Sequence, residues 1–189
     1  YAELKVKFEK YMLNEIDKKD DFSPTSLRFS TVYGLSSRMR FDLTVNEFTK
    51  ELALGKELII FGEQFWRPYC HVKDFSRLIF KVLELDTKLV KNKVFNAGSD
   101  KNNFTKEGIV NLIKKKIPDV NVLFKKDGVD KRDYRVSFSR VEDELGFNAK
   151  YNVDYGIDEI LDMLNKDNKF LKEDALRYRG NFDILGNIN

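Results

Sequence analysis

Apolar positions recur along this chain with two periods, one of three to four residues and one of two, and segments of each kind alternate. Over residues 1–18, Leu4, Phe8, Tyr11, Met12 and Glu15 follow one helical face, while Ala2, Val6, Leu13 and Ile16 widen the apolar surface. A helix apolar around so much of its girth is expected to be covered on two sides, by a partner helix or subunit. Asp20 to Pro24 breaks the pattern. Ser26 to Val32 then reads as a strand ending at Tyr33-Gly34, and Leu43 to Leu54 as a helix stopped by Gly55. Leu58 to Phe61 is a short apolar run closed by Gly62. Pro68 to Val72 reads as a second strand, leading into a helix from Lys73 to Glu84 with Phe75, Leu78, Ile79, Val82 and Leu83 at core spacing. Val94 to Ala97 is a compact strand before Gly98. Thr105 is placed to cap a helix carrying Ile109, Leu112, Ile113 and Ile117. Asn121 to Phe124 is another strand, and Ser139 with Glu142 forms a capping-box signature for a short helix ending at Gly146. From Val153 onward the pattern is mostly helical.

Short apolar strands alternating with helices predict βαβ units on a largely parallel sheet, an α/β fold. The strand count is low for a free-standing doubly wound sheet, and the first helix opens the chain with nothing before it to pack against. The chain is therefore expected to be the second half of something larger. Its 189 residues, 42% hydrophobic with 16 Phe and 8 Tyr, suffice for a full core and exclude a disordered or collagen-like chain. No apolar run is long enough to span a membrane and no charged-then-apolar leader is visible, so a cytoplasmic address is the expectation. A net charge of +3 is too mild and too evenly spread for a nucleic-acid binder. Lys114, Lys115 and Lys116 read as a solvated helix end. One cysteine and one histidine exclude an internal disulfide and the usual four-ligand zinc sites.

Candidate chemistry begins at the first residue. Tyr1 and Lys5 are four apart at a helix start and so share a face. A phenol is a poor base at neutral pH, but an ammonium held a few ångströms away favours the phenolate. Such a pair can exchange a proton with a substrate hydroxyl in a dry site. Elsewhere the residues leave alternatives open. Arg67 binds phosphate or stacks on Trp66; Arg132 binds phosphate or pairs with Asp130 or Asp133. Arg38 and Arg40 bind phosphate or brace Asp42. His71, inside a strand pattern, is expected to be a structurally hydrogen-bonded histidine, Cys70 a small core residue, and Asp74 a cap or first-turn residue of the following helix.

Five stretches, YAELKVKFEKYM, SLRFSTVYG, WRPYCHVKDFSRLI, KVFNAGS and DKRDYRVSFSRVEDELGF, follow one another in that order. Together they resemble the C-terminal half of the extended short-chain dehydrogenases/reductases, the NAD-dependent nucleotide-sugar epimerase/dehydratase family, from Tyr1 to about Leu164. The resemblance implies the C-terminal part of a Rossmann-like doubly wound parallel sheet, from residues 1–34 and 68–98. Residues 35–67 and 99–189 would form a small α/β substrate-binding domain. It implies NAD as cofactor, with NADP as the alternative, and a nucleoside-diphosphate sugar as substrate. It also implies a homodimer through the 1–18 helix.

By position, Tyr1 matches the catalytic base/acid, and Lys5 the partner that also holds the nicotinamide ribose. Phe29 and Ser30 line the nicotinamide end, and Thr31 opens the sugar-nucleotide site. Many relatives carry Asn in place of Thr31, which keeps a hydroxyl but loses the amide. Arg67 matches the arginine aimed at the diphosphate, a fit for a planar guanidinium. Arg132 lies in a second stretch that reaches the nucleotide, and Asn46 closes over the substrate from the Leu43–Asn46 stretch. No metal is implied. The glycine-rich turn that receives the dinucleotide pyrophosphate and the Ser/Thr beside the tyrosine belong upstream of Tyr1, so the choice among reactions stays open. Epimerase comes first by family frequency, with 4,6-dehydratase or dehydrogenase as alternatives. A degenerate, non-catalytic binding or regulatory module is the rival from another class.

Overall fold

The computed structural model describes residues 1–15, 22–125 and 132–166. Helix α1 spans Ala2–Lys10 and continues as a wider π-type turn over Tyr11–Glu15. The expected helix is thus shorter, and its positions 16–18 lie outside the described residues. No residue of α1 is buried against the other described residues.

The expected strand over Ser26–Val32 is two strands in different sheets: β1, Thr25–Phe29, and β2, Thr31–Tyr33. The reason sits at Ser30, whose N–H and hydroxyl both turn to the carbonyl of Ala97, at 3.3 and 3.1 Å. That ends the pairing of β1 with β5 (Lys93–Ala97) and lets the chain cross to β4 (Trp66–His71). β1 is parallel to β5, and β2 is parallel to β4, with Thr31 opposite Tyr69. A short strand β6 (Asn103–Thr105), absent from the sequence reading, closes antiparallel on the other edge of β4. The apolar run Leu58–Phe61 is strand β3, parallel to β7 (Val122–Lys125). The fold is α/β with parallel pairings, as expected.

Helices cover these strands. α2 (Thr44–Ala53), α5 (Lys106–Lys114) and α7 (Val153–Lys166) bury Val45, Phe48, Leu52, Ile109, Ile113 and Ile157 against Leu58, Ile60 and Tyr69. α3 (Val72–Glu84), the single turn α4 (Thr87–Val90) and α6 (Ser139–Leu145) close a second cluster around Leu78, Phe95, Phe138 and Leu145. Thr105 caps α5 as expected, its hydroxyl accepting from the N–H of Gly108 at 3.0 Å. The capping box at Ser139 does not form. Burial of the Phe138 ring sets Phe138 at the N-cap position, so Ser139 is the first helical residue and makes no side-chain cap. The end of that helix at Gly146 holds, with φ at +59°.

Asp74 ties the two clusters together. It sits in the first turn of α3, fully buried, and accepts from the N–H groups of Lys150 and Tyr151 at 3.0–3.1 Å while pairing with Arg77. A carboxylate taken out of water is tolerated only with such saturation. Close by, Gly156 on α7 lies against Tyr33, and a Cβ there would come within 2.5 Å of the ring. Replacing Asp74 with Ala leaves the Lys150 and Tyr151 N–H groups and Arg77 without their acceptor, and is expected to cost about 3 kcal/mol of stability, read from urea unfolding.

Candidate functional site

At the start of α1 the phenol of Tyr1 is 95% exposed. The N–H of Lys5 donates to the carbonyl of Tyr1 at 3.1 Å, closing the first helical turn. That turn brings the ammonium of Lys5 over the Tyr1 ring, 5.5 Å from its centroid. The helix is moored to the sheet from its other end. Glu9 accepts from the hydroxyl of Ser26 at 2.7 Å and from Nε of Arg28 at 2.8 Å, and the Arg28 hydrogen bonds hold its carboxyl below the ordinary value. β1 then delivers Phe29, stacked on Phe75 with ring centroids 4.0 Å apart, and Ser30, hydrogen-bonded to Ala97. Gly98 follows, where a Cβ would come within 3.0 Å of the Ser30 hydroxyl.

A second group gathers at the start of β4. Arg67 is only 9% exposed. Its Nη1 donates to the carbonyl of Trp66 at 2.7 Å and to that of Arg132, and its guanidinium lies 5.3 Å from the Tyr134 ring centroid. The segment 132–135 runs beside the strand: Trp66 N–H donates to Asp133 at 2.8 Å, and Arg135 stacks over Trp66 at 5.0 Å. Arg67 and Arg132 therefore lie together, joined through backbone, and the arginine stacked on Trp66 is Arg135 rather than Arg67. Thr31 pairs across from Tyr69 in the neighbouring strand.

Tyr69 is a residue the sequence reading did not single out. Its hydroxyl is buried beside Thr44 and Arg67, and burial pushes it up to about 12. The signal was available, since Tyr69 is two positions from Arg67 in a strand and so faces the same side.

Asn46 is buried on α2 with both ends of its amide engaged. Its Oδ1 accepts from Gly34 N–H and its Nδ2 donates to the carbonyl of Arg40, each at 3.0 Å. Arg40 braces Asp42, its Nε 3.1 Å from the carboxylate. Cys70 is buried, and burial pushes its thiol up.

His71 ends β4 and caps α3, its Nδ1 accepting from the N–H of Lys73 at 3.1 Å. Its Nε2 meets Glu159 of α7 at 3.0 Å. Since Nδ1 accepts, Nε2 carries the proton. Glu159 also accepts from Leu35 N–H at 2.8 Å and pairs with Lys73, whose ammonium lies between the rings of Tyr151 and Tyr155. Burial pushes His71 below its ordinary value against the pull of Glu159. Burial alone would raise Glu159, but Lys73, the Leu35 N–H and His71 outweigh it and hold it low.

Both groups bind protons less readily folded than unfolded. As pH falls below about 6.5, the ordinary histidine value, the unfolded chain takes up the proton first and stability drains away; Glu159 adds a further loss below about 4.5. His71 is the chain's one histidine. Urea midpoints are expected to fall between pH 7 and pH 5.5 for the native protein, and His71→Gln is expected to flatten that slope.

Residues 1–98 match the family model described as NAD dependent epimerase/dehydratase family. Among solved structures, the chain is similar to the UDP-glucose 4-epimerase of the hyperthermophilic eubacterium Thermotoga maritima, determined with UDP-glucose. The identity is 25% and the TM-score 0.75, over 91% of this chain and 54% of that one. It shares its fold with the UDP-glucuronic acid 4-epimerase of Bacillus cereus, determined with UDP-glucuronic acid and NAD, at 24% identity and TM-score 0.63 over 74% of this chain and 44% of that one. The dTDP-glucose 4,6-dehydratase of Bacillus anthracis, determined with NAD, matches at 23% identity and TM-score 0.63 over 76% and 45%. The chain spans about half the length of these structures. Among the described residues no helix is long and apolar enough to cross a membrane.

Proposed function

This chain belongs to the NAD dependent epimerase/dehydratase family, and on that premise we propose that it supplies the tyrosine–lysine pair and the sugar-nucleotide side of an enzyme that epimerises a nucleoside-diphosphate sugar. The observation that carries this reading is the exposed Tyr1 phenol with the Lys5 ammonium above its ring, at the end of a helix anchored to the sheet through Glu9. Residues 1–34 and 68–98 form the cofactor side in this reading, and residues 35–67 and 99–189 the substrate side. The apolar Leu4, Phe8 and Tyr11 exposed on α1 support packing of that helix against a second copy.

The donor set fits the nicotinamide half of NAD. Tyr1 presents a hydroxyl and Lys5 three N–H donors, side by side and open to solvent, suited to ribose hydroxyls. Phe29 and Ser30 stand at the end of β1 as the wall for the ring. NAD, once bound, supplies the hydride acceptor and donor. Tyr1 takes the proton from the sugar hydroxyl as it is oxidised and returns it on reduction. In this reading the Lys5 ammonium, lying over the Tyr1 ring, offsets the negative charge the phenol carries when it has given up that proton. Arg67, held by two carbonyls and the Tyr134 ring, presents a guanidinium already fixed in place for the diphosphate, with Arg132 beside it. Binding at that remote group orients the sugar carbon and reduces the entropy lost on reaching the transition state. Thr31 offers a hydroxyl at the same strand level as Tyr69.

In the full-length protein, Tyr1→Phe is expected to lower kcat by about 10²- to 10⁴-fold while leaving the dissociation constant for the nucleotide sugar nearly unchanged. Turnover assays on UDP-glucose, UDP-glucuronic acid and dTDP-glucose, paired with calorimetric binding, measure both. Turnover by the variant at the native rate would end the proposal.

A further inference from the structure

Gly34 and Leu35 present successive backbone N–H groups at the end of β2, and two different helices take them. Asn46 of α2 holds Gly34 at 3.0 Å, and Glu159 of α7 holds Leu35 at 2.8 Å. The turn is pressed onto the His71 imidazole: Gly34 has φ of +101°, and a Cβ there would lie 2.3 Å from Nε2. Glu159 Oε2 serves both Leu35 and that same Nε2, so one oxygen fixes the turn and the ring beneath it. The Leu35 side chain packs against the Met39, Ile160, Met163 and Leu164 cluster and borders an open pocket of about 440 Å³, while the Glu159 hydrogen bond fixes the direction of its backbone N–H. The chain from Thr31 to Asn46 is thereby pinned where it leaves β2. If Glu159 lets go, Gly34 is freed to move off Asn46, and β2 and α2 lose their common anchor.

We propose that Glu159 is a positioning residue for the sugar-nucleotide pocket, acting through Leu35 and His71 to hold the Gly34–Leu35 turn that aligns β2 with α2. The inference rests on the functional reading above for the pocket and on the hydrogen bonds alone for the turn.

Two substitutions at His71 separate positioning from simple helix capping. His71→Asn keeps an acceptor where Nδ1 stands and still caps Lys73, but cannot reach Glu159. His71→Gln places an amide N–H where Nε2 stands and reaches Glu159, but gives up the cap. In the full-length protein, Glu159→Ala, which removes both acceptor oxygens, and His71→Asn are expected to raise KM for the nucleotide sugar about tenfold with kcat within about twofold, while His71→Gln keeps KM near the native value. The substrate is whichever of UDP-glucose, UDP-glucuronic acid and dTDP-glucose the native protein turns over. An unchanged KM in Glu159→Ala overturns the inference, as does the reverse order at His71, which marks a cap and nothing more. Amide hydrogen exchange at Leu35 is followed in parallel: it is expected to speed up in Glu159→Ala and His71→Asn and to stay slow in His71→Gln. Should the native protein turn over none of the three sugars, the functional reading fails; unchanged Leu35 exchange in Glu159→Ala then overturns the positioning role separately, and faster exchange upholds it.

Discussion

The fold depends on one carboxylate kept out of water. Asp74 sits where the strand carrying Arg67 has just become helix α3, and it receives the backbone of Lys150 and Tyr151, the residues that lead into α7. Two parts of the chain some 76 residues apart in sequence are thus joined by directional bonds inside the protein. Burying an ion is unfavourable unless every lone pair finds a donor, so this joint specifies one relative placement of its partners and disfavours near misses. The helix that these residues lead into carries Gly156, packed on Tyr33, and Glu159, hydrogen-bonded to His71.

The candidate site is built in two contrasting manners. Around Tyr1 and Lys5 the side chains are exposed, and only the helix turn and the mooring at Glu9 fix their direction. Around Arg67 the side chain is nearly buried and held by carbonyls and an aromatic face before any ligand arrives. A group that must exchange protons gains from access, whereas a group that must hold a dianion in register gains from rigidity. The division of labour proposed for the two ends of the substrate matches that difference.

Much of this was legible in the sequence. The alternation of short apolar strands with amphipathic helices carries the α/β class, and Thr105 and Gly146 mark helix ends where they were expected. Local patterns failed where a distant residue decided the outcome. Nothing near Ser30 announces that Ala97 will draw its hydroxyl and split one strand into two sheets. Ser139 has every local feature of a cap, yet burial of Phe138 shifts the helix start by one residue. Asn46 reads as a polar candidate for the substrate, and its sequence neighbourhood does not show that the fold also engages both ends of its amide between Gly34 and Arg40. Tyr69 goes unmarked because its place beside Arg67 depends on the strand that carries both. The Tyr1–Lys5 spacing was legible because a single helical turn determines it.

Cys70 has a practical consequence. The thiol is 1% exposed, donates weakly to the carbonyl of His71 at 3.7 Å, and is disfavoured as a thiolate by its surroundings. It is also the chain's one sulfhydryl. Alkylating reagents can therefore reach it only when β4 detaches from its neighbours, so the rate of modification clocks the opening of the central strand without any engineered label.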